Sequence, residues 1–282
     1  MKNRYKYLII IVLVSLGFVA CDKIEPPYKQ GSDVPAVEQT RKVLLEDYTG
    51  HTCVNCPTAA KKAVELVNLY EGKLILMAIH AGYFAEPKAA PFNNDYRTEA
   101  GNAWDTFFGM SAAGNPIGMV NRQKTQGVYT VENGDWGSSV AAIIEDKASI
   151  QLEIVTDYNA TNRSLKVDLQ AKITQTLDPA LKIIACVVED SIVSAQRNND
   201  TSLGGATITD YVHRHVLRES LNGSWGEDLA MAGQSTTGAE FTKSYTNSLS
   251  SIYNASHVSI IAFVYNADTY EILQVEEKHI QE

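Results

Sequence analysis

Two apolar runs separated by a helical pattern constrain the fold of this chain more than any other feature. VLLEDY, residues 43–48, is a short apolar stretch, and LILMAIH, residues 74–80, is a continuous apolar run of the length and type of a buried parallel strand. Between them, apolar residues recur at helical spacing over residues 57–70. A strand, a helix and a second buried strand predict a βαβ unit with its helix packed on a parallel sheet.

The elements that follow extend this unit. A helix is predicted around residues 97–108, and residues 117–122 and 127–131 are predicted to form the two strands of a hairpin. Asp135 is the predicted N-cap of a last helix. The resulting order for residues 41–148, β-α-β-α-β-β-α, is that of the thioredoxin fold, so this segment is predicted to be a thioredoxin-like α/β domain.

Beyond Ala148 the apolar period changes from that of a helix to that of a strand. Apolar and polar residues alternate over 150–154 and again over 165–173. Residues 149–282 are therefore predicted to form an all-β, sandwich-like domain, with irregular loops in the range 194–244.

The N-terminus predicts export and lipidation. Basic residues precede an apolar run that ends at Cys21, which is typical of a signal peptide over residues 1–20. Residues 18–20, Phe-Val-Ala, resemble a bacterial lipobox before Cys21, so cleavage there and lipid attachment to the cysteine sulfur are expected. An ordinary secretory signal or an uncleaved anchor is the alternative. Residues 21–40 are rich in proline and charge and predict a flexible tether.

The excess of acidic over basic residues indicates which classes of partner to expect. Acidic residues outnumber lysine and arginine by 33 to 24, so nucleic acid is not an expected partner. The expected partners are the membrane, through the N-terminal lipid, and exported proteins or peptides. No cofactor is expected. Export also places the cysteines in an oxidising compartment, where disulfides form and persist.

Cys53 and Cys56 form a CxxC motif between the first predicted strand and helix. Because a helix N-terminus lowers the pKa of a cysteine, Cys53 is predicted to be the exposed attacking thiol and Cys56 the buried resolving thiol. A structural disulfide between the two is the main alternative, since a short closed loop in an exported protein can form and never exchange. A zinc site would have only His51 as a further nearby ligand, so no metal is expected.

Two further residues fit thiol–disulfide exchange by position. Asp47 lies near the end of the first strand, where thioredoxins keep a buried acid that helps move the proton of the resolving cysteine, and burial should raise its pKa. Pro116 precedes the third strand, at the place of the cis-proline that presents a backbone edge to an incoming peptide. Cys186 is expected to be a small buried hydrophobe. His213 and His215 are expected in packing or surface roles, with metal binding as the alternative.

A resemblance to a known family is carried by five stretches: EDYTGHTCVNCP, GNPIGMVNR, VVEDSIV, YVHRHVLRESLNGSWGEDL and the terminal FVYNADTYEILQVEE. They resemble the outer-membrane-protein-28 family of lipoproteins from Bacteroidetes, over nearly the whole chain after Cys21. The resemblance implies a thioredoxin-like first domain, a location at the outer membrane of the cell envelope, and an adhesin or receptor role. His213 and Arg218 belong to the family's second-domain signature, and the residue types of that signature do not point to one particular chemistry.

Two functions of different class follow. In the first, the CxxC pair carries out thiol–disulfide exchange on exported proteins, with Cys53, Cys56, Asp47 and Pro116 at the site. In the second, the chain is a surface binding protein or adhesin in which the Cys53–Cys56 disulfide is structural.

Overall fold

The computed structural model describes residues 40–281. The predicted signal peptide, Cys21 and the predicted tether up to residue 39 lie outside these residues. All described residues fall within one compact unit. Within them, no helix combines the length and the apolar character that a membrane crossing needs.

The first half has the predicted order of elements. They are β1 (Val43–Thr49), α1 (Cys56–Leu69), β2 (Leu74–His80), α2 (Glu99–Phe108), α3 (Met110–Ala113), β3 (Ile117–Val120), β4 (Val131–Glu132) and α4 (Trp136–Ala141). β1 pairs in parallel with β2 and antiparallel with β3, which pairs antiparallel with β4. The short α3 is an addition to the prediction, and of the predicted strand 127–131 only Val131 lies in β4.

β1 and β2 are buried along their whole length. Alternate residues of a strand point to opposite faces of the sheet. Leu45 accordingly shares a core with Ala63 of α1, whereas Tyr48 belongs to a second core with Trp104 of α2. Helices cover both faces of these strands, which explains why their sequences are apolar runs without alternation.

The second half consists almost entirely of strands. They are β5 (Ile150–Asn159), β6 (Ser164–Ile173), β7 (Leu181–Glu189), β8 (Ile192–Arg197), β9 (Thr207–His213), β10 (Val216–Ser220), β11 (Glu227–Ala230), β12 (Glu240–Ser248), β13 (Val258–Asn266) and β14 (Ile272–His279). β12, β6 and β5 form a three-stranded sheet, and β8 pairs with β9.

The remaining strands join those of the first half in one large sheet. Its order is β14-β13-β7-β10-β2-β1-β3-β4, with β11 paired to β7. β10 makes the connection, because Val216 pairs with Ala78 of β2 on one side and with Glu189 of β7 on the other. The boundary predicted at residue 148 therefore separates two sequence patterns that share one sheet.

The three-stranded sheet packs on one face of β7 and β13. Leu152 and Leu169 from the small sheet share a core with Ile183 of β7. Residues on the opposite faces of the same two strands, Cys186 and Phe263, belong to the core that α2 closes. The β-rich second half is thus confirmed, and Cys186 is a buried free cysteine as predicted.

A buried ion pair lies in this shared core. Arg122 and Glu46 are both fully buried, and the guanidinium donates two hydrogen bonds, of 2.7 and 2.9 Å, to the carboxylate. The guanidinium carbon lies 4.8 Å from the ring centre of Trp104 and 5.0 Å from that of Phe263. Since Phe263 belongs to β13, the pair is enclosed by side chains from both halves of the chain.

Candidate functional site

Cys53 and Cys56 are joined by a disulfide. The S–S distance is 2.09 Å and the Cα atoms are 5.5 Å apart. The bond closes the loop between β1 and α1, and both cysteines are only 2% exposed. The predicted pairing is therefore present, and the structure holds it in the oxidised form.

The predicted position and exposure of Cys53 are wrong. α1 begins at Cys56 with Asn55 as its N-cap, so it is Cys56 that opens the helix. Cys53 lies in the preceding loop, where its backbone N–H donates to the carbonyl oxygen of Gly50 at 3.0 Å and turns the chain back. The sulfur of Cys53 is buried because a segment from the second half of the chain covers this loop.

That covering segment is the β8–β9 hairpin, residues 192–213, called the cap below. Gln196, itself 1% exposed, donates its side-chain amide to the carbonyl oxygens of Cys53 at 2.9 Å and of Gly50 at 3.3 Å. The backbone N–H of Arg197 donates to the carbonyl oxygen of His51 at 2.9 Å, and the backbone N–H of Asn199 donates to the carbonyl oxygen of Val54 at 3.0 Å. The cap thus pairs with the CxxC loop almost as a further strand would.

Nothing in the sequence identifies this contact, since the region is predicted to hold irregular loops. The β8–β9 ladder shifts its register between Ser194 and Gln196, and such a shift changes the direction in which a side chain points. Gln196 would be an ordinary polar residue of an exposed strand without that shift. The periodicity of one segment carries no information about a hydrogen bond to a loop more than 140 positions away.

Asp47 lies beside the disulfide, as its sequence position predicted. It is 2% exposed, its Oδ1 has no hydrogen-bond partner, and burial raises its pKa to about 7. The direction of this shift is the predicted one. Asp47 and Cys56 line the same small cavity, about 30 Å³ in volume.

The cavity has a second polar wall that sequence reasoning did not find. His80, His213 and Tyr211 line it together with Gln196 of the cap. His80 is 2% exposed and neither of its ring nitrogens has a hydrogen-bond partner. Burial lowers the pKa of His80 well below the ordinary value and that of His213 to about 4. The only sequence signal for His80 is its place at the end of a fully buried strand.

A cluster of rings continues from this wall. The Tyr96 ring lies 5.1 Å from that of His80 and 5.4 Å from that of His213, and its hydroxyl donates to Ser194 at 2.9 Å. Ser194 also bonds Nε2 of His213 at 2.9 Å. His213 is therefore a packed and hydrogen-bonded residue. Among residues 40–281, no three histidine, cysteine, aspartate or glutamate side chains are grouped to hold a metal ion.

Pro116 follows a cis peptide bond from Asn115, as predicted. The next residue, Ile117, pairs with Tyr48 of β1. Pro116 therefore lies at the end of the sheet from which the CxxC loop emerges, but it does not line the cavity of Asp47 and Cys56. The structure brings Asp47 and the disulfide together at the cavity, and Pro116 lies outside it.

Two apolar side chains are exposed at the outer surface of the CxxC loop and the turn beside it. Val54 is 41% exposed and Phe84, on the neighbouring turn, is 37% exposed. Thr52 donates both its backbone N–H and its hydroxyl to the carbonyl oxygen of Phe84, at 3.1 and 2.8 Å. Gly50 permits this approach, since a Cβ there would lie 2.3 Å from the carbonyl carbon of Phe84.

Comparisons with solved structures show the fold. HBP35 of Porphyromonas gingivalis matches with a TM-score of 0.63 at 16% identity, over 86% of this chain and 76% of that one. A protein of Agrobacterium tumefaciens matches with a TM-score of 0.51 at 11% identity, over 86% and 96%. A domain of the outer membrane lipoprotein Omp28 from Porphyromonas gingivalis is 26% identical over 47% of this chain and 88% of its own, with a TM-score of 0.32. No curated protein matches the chain.

The family profile of the outer membrane protein Omp28 matches residues 102–282. The match begins after the Cys53–Cys56 loop, so it bears on the second half, including the cap, and not on the disulfide. Because it covers more than half of the sequence, the chain belongs to the Omp28 family of outer membrane proteins and is located at the outer membrane of the cell envelope.

Proposed function

We propose that this outer membrane protein exchanges disulfides with exported proteins through Cys53 and Cys56, and that its first half is a thioredoxin-like module. The strand order β2-β1-β3-β4, with helices on both faces and the CxxC loop between β1 and α1, supports the comparison with thioredoxins. The proposal extends to a lipid on Cys21, which would hold the protein at the membrane.

The observation that carries the proposal is the placement of Asp47. A carboxyl group buried without a partner lowers stability, and its pKa of about 7 reflects that penalty. A disulfide that only staples a loop gains nothing from an acid beside it. A resolving cysteine does, because Cys56 must lose and regain a proton in each cycle, and Asp47 lines the cavity that Cys56 also lines.

The chemistry runs from the reduced pair. The Cys53 thiolate attacks one sulfur of a partner's disulfide, the partner's S–S bond breaks, and the electron pair leaves on the partner's second sulfur. Cys56 then gives its proton to the Asp47 carboxylate and attacks the Cys53 sulfur, which frees the partner's first thiolate and forms the Cys53–Cys56 disulfide. Two electrons pass from the pair to the partner. The same steps in reverse oxidise a partner dithiol.

Exchange requires that the cap opens. Exchange needs the attacking sulfur to lie along the axis of the S–S bond that breaks. Because both cysteines are only 2% exposed, a partner's sulfur cannot reach the Cys53 sulfur along such an axis while Gln196 and Asn199 hold the loop. The hydrogen bonds from Gln196, Arg197 and Asn199 to the loop are few, and each is worth roughly 0.5–1.5 kcal/mol. Opening of the hairpin is therefore an accessible local event that need not unfold the core.

A second function is favoured by the same burial. If the cap never opens, the disulfide is structural and the chain is a surface binding protein, in which the exposed strands make the contacts. The low exposure of both cysteines is what this alternative requires.

Trapping in the native cell envelope separates the two functions. A Cys56→Ser variant should hold partner proteins as mixed disulfides on Cys53, because the resolving thiol is absent, whereas Cys53→Ser should hold almost none. Cys186 is fully buried in the structure, so capture through this cysteine is not expected. If neither variant captures a partner and both lose stability to a similar degree, the disulfide is structural and the second function stands.

A further inference from the structure

The cavity beside the disulfide contains two buried polar groups that have no partner. Oδ1 of Asp47 and both ring nitrogens of His80 are without hydrogen bonds, and both side chains are 2% exposed. A buried polar group left without a hydrogen bond lowers the stability of the fold. Two of them lining one cavity is therefore a feature that needs a physical reason.

The sheet places these two groups on the same face. β1 and β2 are parallel, with Asp47 opposite Ala78 and Thr49 opposite His80. Directly paired residues point to the same side of a sheet, as do residues two apart along a strand. Asp47 and His80 therefore both point toward α1, where Cys56 begins the helix and lines the same cavity.

The cavity has the size and the chemistry to hold one water molecule. Its volume of about 30 Å³ exceeds the least volume that a water needs, and a buried water requires at least two polar partners. A carboxyl oxygen and an imidazole nitrogen supply them. Apolar cavities of this size stay empty, so the polar walls decide the occupant.

Two of the other titratable groups that line the cavity have hydrogen-bond partners of their own. Nε2 of His213 bonds Ser194, and Arg214 donates to Asp190 at 3.1 Å. The charged and titratable groups that surround His80 from the neighbouring elements are His51, Tyr96, Tyr211, His213, Arg214 and Arg218. The ring nitrogens of His51 also lack partners, but His51 does not line the cavity, so among these groups only His80 combines unpartnered ring nitrogens with a place in the cavity wall.

We propose that His80 is a positioning residue that holds a water molecule between its ring and the Asp47 carboxyl group, and so controls the acid that serves Cys56. Only the link to Cys56 rests on the proposed exchange function. A neutral imidazole orients the water so that one O–H points to the carboxylate, which stabilises the charged form of Asp47. The water also gives the buried acid a route for its proton through His80.

The test is the titration of the Asp47 carboxyl carbon by NMR in the oxidised full-length protein, which requires no exchange activity. His80→Phe keeps the ring and removes the nitrogens, so Asp47 loses the water and its titration should move to higher pH by about half a unit or more. His80→Gln keeps a hydrogen-bonding group, so the Asp47 titration in this variant should stay close to that of the wild type. His213→Phe is the matched control, since His213 lines the same cavity but already has a partner.

An Asp47 titration that is unchanged or moves to lower pH in His80→Phe, or that moves equally in His213→Phe, overturns the inference. If His80→Phe does not fold, His80→Leu takes its place and should show the same upward shift, and an unchanged Asp47 titration in His80→Leu overturns the inference. The trapping experiment with Cys56→Ser tests the proposed function separately from this titration. Should the titration move as expected while Cys56→Ser captures no partner, the water link stands and the exchange function falls.

Discussion

The backbone N–H of Asn199 donates to the carbonyl oxygen of Val54 at 3.0 Å, joining the cap to the middle of the CxxC loop. The two residues are 145 positions apart and belong to halves of the chain with different sequence patterns. The contact fixes the loop from outside while the disulfide fixes it from within. Accessibility of the cysteines in this protein is thus a property of the second half of the chain.

The first prediction concerns this cap. Gln196→Leu removes three side-chain donor contacts and leaves the carbonyl oxygens of Gly50 and Cys53 without them. In the reduced protein we expect alkylation of Cys53 to become faster by about tenfold or more, since a loss of about 1.4 kcal/mol favours the open hairpin by that factor. The measurement is the rate of iodoacetamide labelling at each cysteine by mass spectrometry.

Val193→Thr is the control for that experiment, because Val193 lies on β8 but is 63% exposed and its side chain points to solvent. It should label at the wild-type rate. Equal labelling of Cys53 in Gln196→Leu and wild type would mean that the cap does not limit access.

A second prediction concerns the ion pair of Glu46 and Arg122. Removing one partner leaves the other as an uncompensated buried charge, so Arg122→Leu should lower the free energy of unfolding by roughly 3–5 kcal/mol. The double change Glu46→Leu with Arg122→Leu should lower it by much less than the sum of the single changes. Urea unfolding of the oxidised protein measures both.

Hydrogen exchange in Arg122→Leu tests whether the two halves unfold together. Phe263 of β13 packs on the guanidinium, and β10 links β2 to β7, so amides of β1 and β13 should lose protection by the same factor. If β13 keeps its protection while β1 loses it, residues 41–148 and 149–282 unfold independently although their strands share one sheet.

The sequence predicted those elements whose apolar pattern has a single physical reading. The helical spacing after Pro57 and the continuous run over 74–80 identified α1 and β2. The alternation over 150–154 identified β5. In each case the spacing of apolar residues along the segment indicates whether one face or both faces of the element are buried.

The rest depended on contacts that no single segment encodes. The continuous apolar runs of β7 and β13 indicate strands covered on both faces, whereas a strand of the predicted sandwich needs only one covered face. Recognising that pattern would have predicted a central position for both strands. The polar residues of the candidate site also differ in what identifies them. The position of Asp47 relative to the CxxC motif predicted its role. His80 and Gln196 can be assigned a role only from tertiary contacts, because His80 lines the cavity and Gln196 bonds the CxxC loop.

A third prediction concerns the membrane anchor, for which the motif Phe18-Val19-Ala20-Cys21 is the basis. Cys21→Ser should move the protein from the membrane fraction to the soluble fraction and abolish labelling with a fatty-acid analogue, because the thioether-linked lipid is lost. Ser15→Ala, within the apolar run, is the control and should fractionate as wild type. Unchanged membrane fractionation of Cys21→Ser without acyl label would show that a different element anchors the protein.

The last prediction follows from the buried carboxyl group of Asp47. Its pKa rises from an ordinary value of 3.8 to about 7 in the folded protein because burial disfavours the charged form. Well below pH 3.8 both the folded and the unfolded states carry the proton, so the ionisation of Asp47 has no effect on stability there. Between pH 4 and 7 the unfolded state releases the proton and the folded state keeps it, so the free energy of unfolding falls as pH rises.

Asp47→Asn removes this titration while keeping the shape of the side chain. The free energy of unfolding of Asp47→Asn minus that of wild type should therefore increase between pH 4 and pH 8, by about 2–4 kcal/mol from a shift of roughly three pKa units, and should stay constant above pH 8. Buried His213 is present in both proteins, so its opposite effect, a loss of stability as pH falls below 6.5, cancels in the difference. The same comparison in a His80→Gln background removes the titration of His80, which the inferred water couples to Asp47. Urea unfolding of the oxidised proteins at pH 4, 6 and 8 gives the three values. Parallel stability curves would mean that the Asp47 carboxyl group ionises as easily in the folded chain as in the unfolded one, and would remove the observation on which the exchange function rests.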